Sequence, residues 1–196
     1  MPPVVRYSKE KIIEVGLKLI EEHGFEYISA RTLAKELGCS ICPVFSCFSN
    51  MEDLKMELLR TIFNFYSKFV EQGMKDTEKP FKGAGLAYIK FARNYKNYFK
   101  SLFMNKTESR LEDLLKIDFN NEKILDVIQI NCGLDKDSAL KFHKYNWIFV
   151  HGIAVMVATD YCIFSDDEIS EMLTVEYLSL LKRFKENVMY EKNNWN

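Results

Sequence analysis

Residues 38–50 read GCSICPVFSCFSN, which places three cysteines, a proline and two phenylalanines in thirteen positions. Two chemistries compete for that stretch. As a metal site, Cys39-x2-Cys42 needs two further ligands, because structural zinc takes four nitrogen or sulfur donors. Cys47 supplies at most one, the nearest histidine is His23, and no second CxxC occurs. As a redox switch, the thiols gain some support from the lowered pKa of cysteines near helix N-termini. The simplest reading is small side chains on a short helix, and the flanking sequence decides what that helix is for.

Upstream, Ser8 is placed to cap a first helix carrying Ile12, Val15, Gly16, Leu19 and Ile20 on one face. It ends at His23-Gly24, where Gly24 is expected in the left-handed C′ conformation with Phe25 folding back. Ser29 caps a short second helix with Leu33, Ala34 and Leu37 inward, and Gly38 breaks it. Ser40 then caps a third helix through Phe48, with Val44 and Phe48 inward. Two short helices joined by a tight Gly-containing turn form a helix-turn-helix pattern. Pro43 falls in the first turn, where a missing N–H is tolerated. Downstream, Ser49-x-x-Glu52 reads as a capping box opening a long helix with Leu54, Leu58, Ile62, Phe65 and Phe69. A polar break spans Gly73 to Pro80. Further helices are expected at roughly 81–96, 98–104, 109–117, 120–131, 136–161 and 166–190.

The fold class expected is therefore all-α: a head of three short helices over residues 1–50 and a larger helical body over 51–196. Apolar residues make up 47% of the chain and aromatics 14%, enough for a sizeable core. No apolar run approaches the ~18 residues of a membrane span. The N-terminus, MPPVVRYSKEK, has no apolar segment of a signal peptide. A cytoplasmic protein without membrane association is expected, with its five cysteines reduced. No Gly-rich phosphate loop, Ser-His-Asp ordering or paired-His metal motif appears. Neither catalysis, a cofactor nor a metal is expected.

From Ile12 to Leu59 the chain resembles the DNA-binding head of TetR-family transcriptional regulators. The shared pattern is the Gly24-Phe25 end of the first helix, Leu33-Ala34 within the second, and Gly38-x-Ser40 at the turn. Phe45-Ser46-Cys47-Phe48 follows where the family ends its recognition helix, and Met51-Glu52-Asp53-Leu54 opens the fourth helix. The resemblance implies a homodimer bound to a double-stranded operator and released by a small molecule, hence a repressor. Ser29, Arg31, Ser40 and Lys55 are further candidate DNA contacts. Ile41, Cys42, Pro43, Phe45, Ser46 and Cys47 would lie in or beside the major groove, where Ile41, Cys42, Phe45 and Ser46 could read thymine methyls and groove shape more than guanine edges.

The departures bear on function. Where the family places a tyrosine, a histidine and a lysine that grip phosphates, this chain has Phe45, Cys47 and Met51. Residues 1–60 hold eight Lys and Arg against nine Asp and Glu, a weak charge for a duplex binder. Arg6, Lys9, Arg31 and Lys55 could still cluster toward phosphate. The alternative reading is a helical small-molecule or thiol-redox sensor with weakened or lost specific DNA binding.

In the body, an aromatic load points to core and to an apolar pocket. Phe65, Phe69, Tyr88, Phe91, Tyr95, Phe103, Trp147 and His151 are the candidate contacts for a small apolar or aromatic ligand. His143, Trp147 and His151 recur every four residues, and WIFVHG (147–152) resembles the Trp…His-Gly segment of one group of TetR bodies. Small residues Ala154 and Ala158, with Ile169, Leu173, Tyr177 and Leu180 on the last helix, are the candidate dimer contacts.

Overall fold

The computed structural model describes residues 7–105, 111 and 120–186. Among them the chain is all-helical, as the sequence implies, with nine α-helices and no strand. These are α1 (Lys9–His23), α2 (Ala30–Leu37), α3 (Cys42–Cys47), α4 (Met51–Lys75), α5 (Pro80–Asn94), α6 (Lys96–Phe103), α7 (Asn121–Cys132), α8 (Lys136–Ala158) and α9 (Asp166–Lys185). The helix expected over 109–117 lies, apart from Leu111, outside the described residues, as do Arg6 and the chain beyond Glu186. Packing divides the chain into two compact units, residues 1–66 with 91–107 and residues 67–90 with 108–196.

In the first unit, α1 opens with Ser8 Oγ accepting from the Lys11 N–H at 3.2 Å. Its buried face is Ile12, Val15, Gly16, Leu19 and Ile20. Gly24 ends the helix at φ 88, ψ 166, a glycine-only extended conformation and not the expected left-handed helical one. The chain then makes a 3₁₀ turn, Phe25–Tyr27, in place of a simple fold-back. Ser29 caps α2 in a box with Thr32, each satisfying the other's backbone N–H. At its far end Gly38, φ 66, closes a Schellman motif: Gly38 N–H bonds to Lys35 O and Cys39 N–H to Ala34 O.

Two caps differ from expectation. Ser40 does not cap α3; Ile41 stands at the cap without a side-chain bond. Were Ser40 the cap, the third helical position would be Pro43, which has no N–H to give it. At the start of α4 the box is shifted by one residue. Asn50 Oδ1 accepts from Asp53 N–H at 2.9 Å, and the Asp53 carboxylate accepts from Ser49 N–H at 3.0 Å.

The last element of this unit, α6, is tied to α1 by two side-chain hydrogen bonds to backbone carbonyls, one exposed and one part-buried. Asn97 Nδ2 donates to Glu21 O at 2.8 Å and Tyr98 OH to Leu17 O at 3.1 Å.

In the second unit, Gly73 does not end α4 as the polar break suggested. It sits within the helix because the C-terminal turns of α4 cross the start of α5 at backbone contact. A Cβ built on Gly83 would lie 2.2 Å from Gly73 O, and one on Gly73 would lie 2.4 Å from Ala87 Cβ. The remaining helices, α7, α8 and α9, pack in sequence order, α7 on α8 and α8 on α9. Phe142, Ala139, Ile128 and Ala154 are fully enclosed there.

Candidate functional site

In the first unit, α2 and α3 carry the residues expected to read DNA. Val44 and Phe48 turn inward, while Ile41, Cys42, Phe45 and Ser46 are exposed. Ile41 and Phe45 remain 45% and 43% exposed, a large apolar presence on a helix of six residues. Ser46 Oγ is turned back onto Pro43 O at 2.7 Å. Arg31 and Ser40 are exposed and Pro43 is half-buried. Ser29 is engaged as the α2 cap, and the Lys55 ammonium lies 5.7 Å from the Phe25 ring centre.

Cys47 is held from behind. Its thiol donates to Tyr7 O at 3.5 Å, and Tyr7 OH donates to Leu37 O at 2.8 Å. Tyr7 thus ties the ends of α2 and α3 together. Its partners lie thirty and forty residues away, so no local pattern marks it.

The head's bases sort into two groups. Lys9 pairs with Glu57, Lys11 with Glu14, Lys18 with Glu36, and Arg60 with Glu57. Arg31, Lys35 and Lys55 make no ion pair among the described residues. These three are the cations of the first sixty residues that stand unpaired among the described residues.

The eight candidate ligand contacts fall into two sets. Phe65, Phe91, Tyr95 and Phe103 belong to the first unit. Phe65 meets Tyr95 edge-on at 4.9 Å between centres and Phe91 at 5.8 Å, while Phe103 meets Tyr66 at 5.0 Å. Phe69, Tyr88, Trp147 and His151 belong to the second. There Tyr88 OH and His151 Nδ1 are 2.9 Å apart, and the Trp147 ring stacks on the imidazole at 4.5 Å. Burial lowers the pKa of His151 and favours its neutral form.

The second unit also buries polar groups, of which the sequence pattern marks His143 alone. Ser67 on α4, Asn120 and Asn121 at the start of α7, and His143 and Asn146 on α8 are all buried. Asn120 Nδ2 donates to Ser67 O at 3.1 Å and Asn146 Nδ2 to Phe142 O at 2.8 Å. Ser67 Oγ, Asn121 Oδ1 and His143 Nδ1 have no partner among the described residues. An unpaired buried polar atom costs ~1–3 kcal/mol, so three together cost roughly 3–9 kcal/mol. Burial holds the His143 imidazole down at about 4, so it is uncharged at neutral pH. At a separate point, Lys82 Nζ donates to Ser170 Oγ at 2.7 Å and Thr174 Oγ1 at 2.9 Å, joining α5 to α9.

Of the candidate dimer contacts, Ala154, Ala158, Ile169 and Leu173 are buried within a single copy, and Tyr177 and Leu180 are half-buried. Tyr177 OH lies 3.0 Å from the buried Cys132 thiol. The apolar side chains α8 and α9 leave exposed are Tyr145, Ile148, Val175 and Leu178. Among the described residues no cluster of His, Cys, Asp and Glu could hold a metal, and no helix is long and apolar enough to cross a membrane.

No family model matches the chain and no curated protein matches it. Solved structures do. A candidate transcriptional regulator of Pseudomonas aeruginosa PAO1 is similar over 91% of this chain and 92% of its own, with a TM-score of 0.67 at 12% identity. FadR of Bacillus halodurans, a fatty acid degradation regulator, is similar over 92% of this chain and 97% of its own, with a TM-score of 0.55 at 14% identity. The chain therefore has a fold shared with helical transcriptional regulators.

Proposed function

We propose that the protein is a homodimeric, ligand-responsive repressor of the TetR kind, with residues 1–50 as the DNA-binding head and 51–196 as the sensing and dimerising body. The observation that carries this is the α2–Gly38–α3 arrangement, capped at Ser29 and clamped by Tyr7, presenting Ile41, Cys42, Phe45 and Ser46 outward. A fold shared with transcriptional regulators over nine-tenths of the chain supports it.

In this reading Arg31, Lys35 and Lys55 meet phosphates, while α3 enters the major groove. Two such helices in a dimer address half-sites ~34–36 Å apart. Phe45 and Ile41 favour thymine methyls. An apolar or aromatic ligand binds in the body against Tyr88, Trp147 and His151. Because α4 carries Leu54 and Leu58 in the first unit and Ser67 in the second, a ligand that shifts it has a covalent route to the head. A coupling of about 1–3 kcal/mol suffices for regulation. Dimerisation uses the exposed residues of α8 and α9.

Selection of duplexes from a random pool tests the reading. Enrichment of a two-fold symmetric site supports it; a pool that stays random after repeated selection overturns it. The thiol-sensing alternative draws on the exposure of Cys42 at the start of α3. It predicts a head that binds duplex without sequence preference and an activity that follows the Cys42 oxidation state.

A further inference from the structure

Three helices of the second unit each bury one polar atom that has no partner among the described residues: Ser67 Oγ on α4, Asn121 Oδ1 on α7 and His143 Nδ1 on α8. Each of these side chains is more than nine-tenths buried. Two features bring the stretches of helix that carry them near one another. The Asn120–Ser67 bond at 3.1 Å sets the first turn of α7 beside Ser67. Helices α7 and α8 pack against each other across the three-residue connection Gly133–Asp135. Asn121 lies eleven residues before the end of α7, and Trp147 lies eleven residues into α8, so the two are about level. His143 is then roughly 6 Å further along the axis.

The donor and acceptor inventory of this set is specific. Asn121 Oδ1 can only accept, so it needs a donor. Ser67 Oγ can do either, and a neutral imidazole nitrogen is a donor or an acceptor according to its tautomer. Among the described residues of the unit no Lys, Arg, Asp or Glu is fully buried, and the half-buried Lys82 is engaged by Ser170 and Thr174, so no fully buried countercharge accompanies the three atoms. A carboxylate would set its oxygens against Asn121 Oδ1 with no proton between them. A hydrocarbon would leave all three atoms unpaired. An amide or a hydroxyl carries both a donor and an acceptor and no charge.

We propose that Ser67, Asn121 and His143 receive the uncharged hydrogen-bonding end of an otherwise apolar ligand, an amide or an alcohol, whose body lies against Trp147 and Tyr88. This rests on the reading of the second unit as the ligand receiver and names the ligand's chemical class.

The full-length chain with Trp195→Phe keeps Trp147 as the single indole. Decanamide, decanol, decanoate and decane are titrated at pH 7.5 by Trp147 fluorescence and calorimetry. The amide or the alcohol is expected to bind at least tenfold tighter than decanoate and decane. His143→Leu and Ser67→Ala should each reduce that preference to threefold or less while decane binding persists, and Lys82→Met should leave it intact. Should a variant melt early, ¹⁵N imidazole resonances of the parent chain serve instead: decanamide must shift the His143 signal. Decanoate binding as tightly as decanamide, and weakening in Lys82→Met, overturns the inference and leaves the ligand-receiving role standing. Four equal affinities overturn it too, with water satisfying the three atoms. If none of the four binds, the inference falls. The ligand-receiving role falls with it only when aromatic and charged effectors also fail to release the protein from its selected duplex.

Discussion

The interior of the second unit predicts a pH signature that one substitution removes. Burial holds His143 at about 4 in the folded chain, against an ordinary value of 6.5. The folded pKa is depressed, so the unfolded chain binds the extra proton in the window between the two values. Stability from this group is complete above about 6.5 and drains away as pH falls toward 4. At pH 5 the unfolded imidazole is almost wholly protonated and the folded one almost wholly neutral, so the loss relative to pH 7.5 is about 2 kcal/mol. Two other groups act in the same range. His151 is lowered by burial and adds to the trend, while burial raises Glu176 to about 7 and works against it. Both remain in His143→Leu, so the difference between parent and variant isolates His143. Urea denaturation at pH 7.5 and pH 5 should show the variant losing about 2 kcal/mol less than the parent. At pH 7.5 it should be no less stable by more than about 1 kcal/mol, since it also removes an unpaired nitrogen. Equal pH dependence in parent and variant would show that His143 is solvated, and the argument from its burial would fail.

Three further outcomes follow. Ile148→Glu with Leu178→Glu places charge on the exposed faces of α8 and α9, and analytical ultracentrifugation should then find a monomer; a surviving dimer would move the interface elsewhere. Phe45→Tyr with Met51→Lys restores two phosphate-gripping groups, and should tighten binding to every duplex while steepening the salt dependence by about one unit per head. An unchanged salt slope would contradict the assigned placement of Met51. Gly83→Ala forces a Cβ to 2.2 Å from Gly73 O, where backbone must give way, and the chain should lose about 1–3 kcal/mol or more in a thermal melt; a neutral effect would mean that the α4–α5 crossing is looser than described.

What the sequence revealed was whatever local chemistry decides. Ser8 and Ser29 were legible as caps because a cap is a bond over three residues. Ser40 was misread because the same rule depends on the N–H that Pro43 lacks. At α4, Ser49…Glu52 and Asn50…Asp53 are overlapping boxes of the same spacing, and spacing alone does not choose between them. Gly73 looked like a break because its partners, Gly83 and Ala87, arrive from another helix. Periodicity found that Ala154 and Ala158 face a partner, but it does not say whether that partner is another copy or the chain's own helices. Tyr7, Ser67 and Asn121 were invisible for a related reason. Tyr7 finds its partners thirty and forty residues away, and the burial of Ser67 and Asn121 is set by the packing of whole helices.

The central claim is that α3 reads base edges while α2 holds the backbone. Binding of Arg31→Ala and Phe45→Ala to a selected duplex and to a scrambled one, across a salt series, tests it most directly. Arg31 is an exposed cation without an ion pair among the described residues, so its loss should weaken both duplexes alike and reduce the salt slope by about one unit. Phe45 carries no charge, so its loss should weaken only the selected duplex, by ~1–3 kcal/mol, and leave the slope unchanged. If Phe45→Ala weakens both duplexes equally, or neither, α3 does not read sequence and the proposed function is wrong.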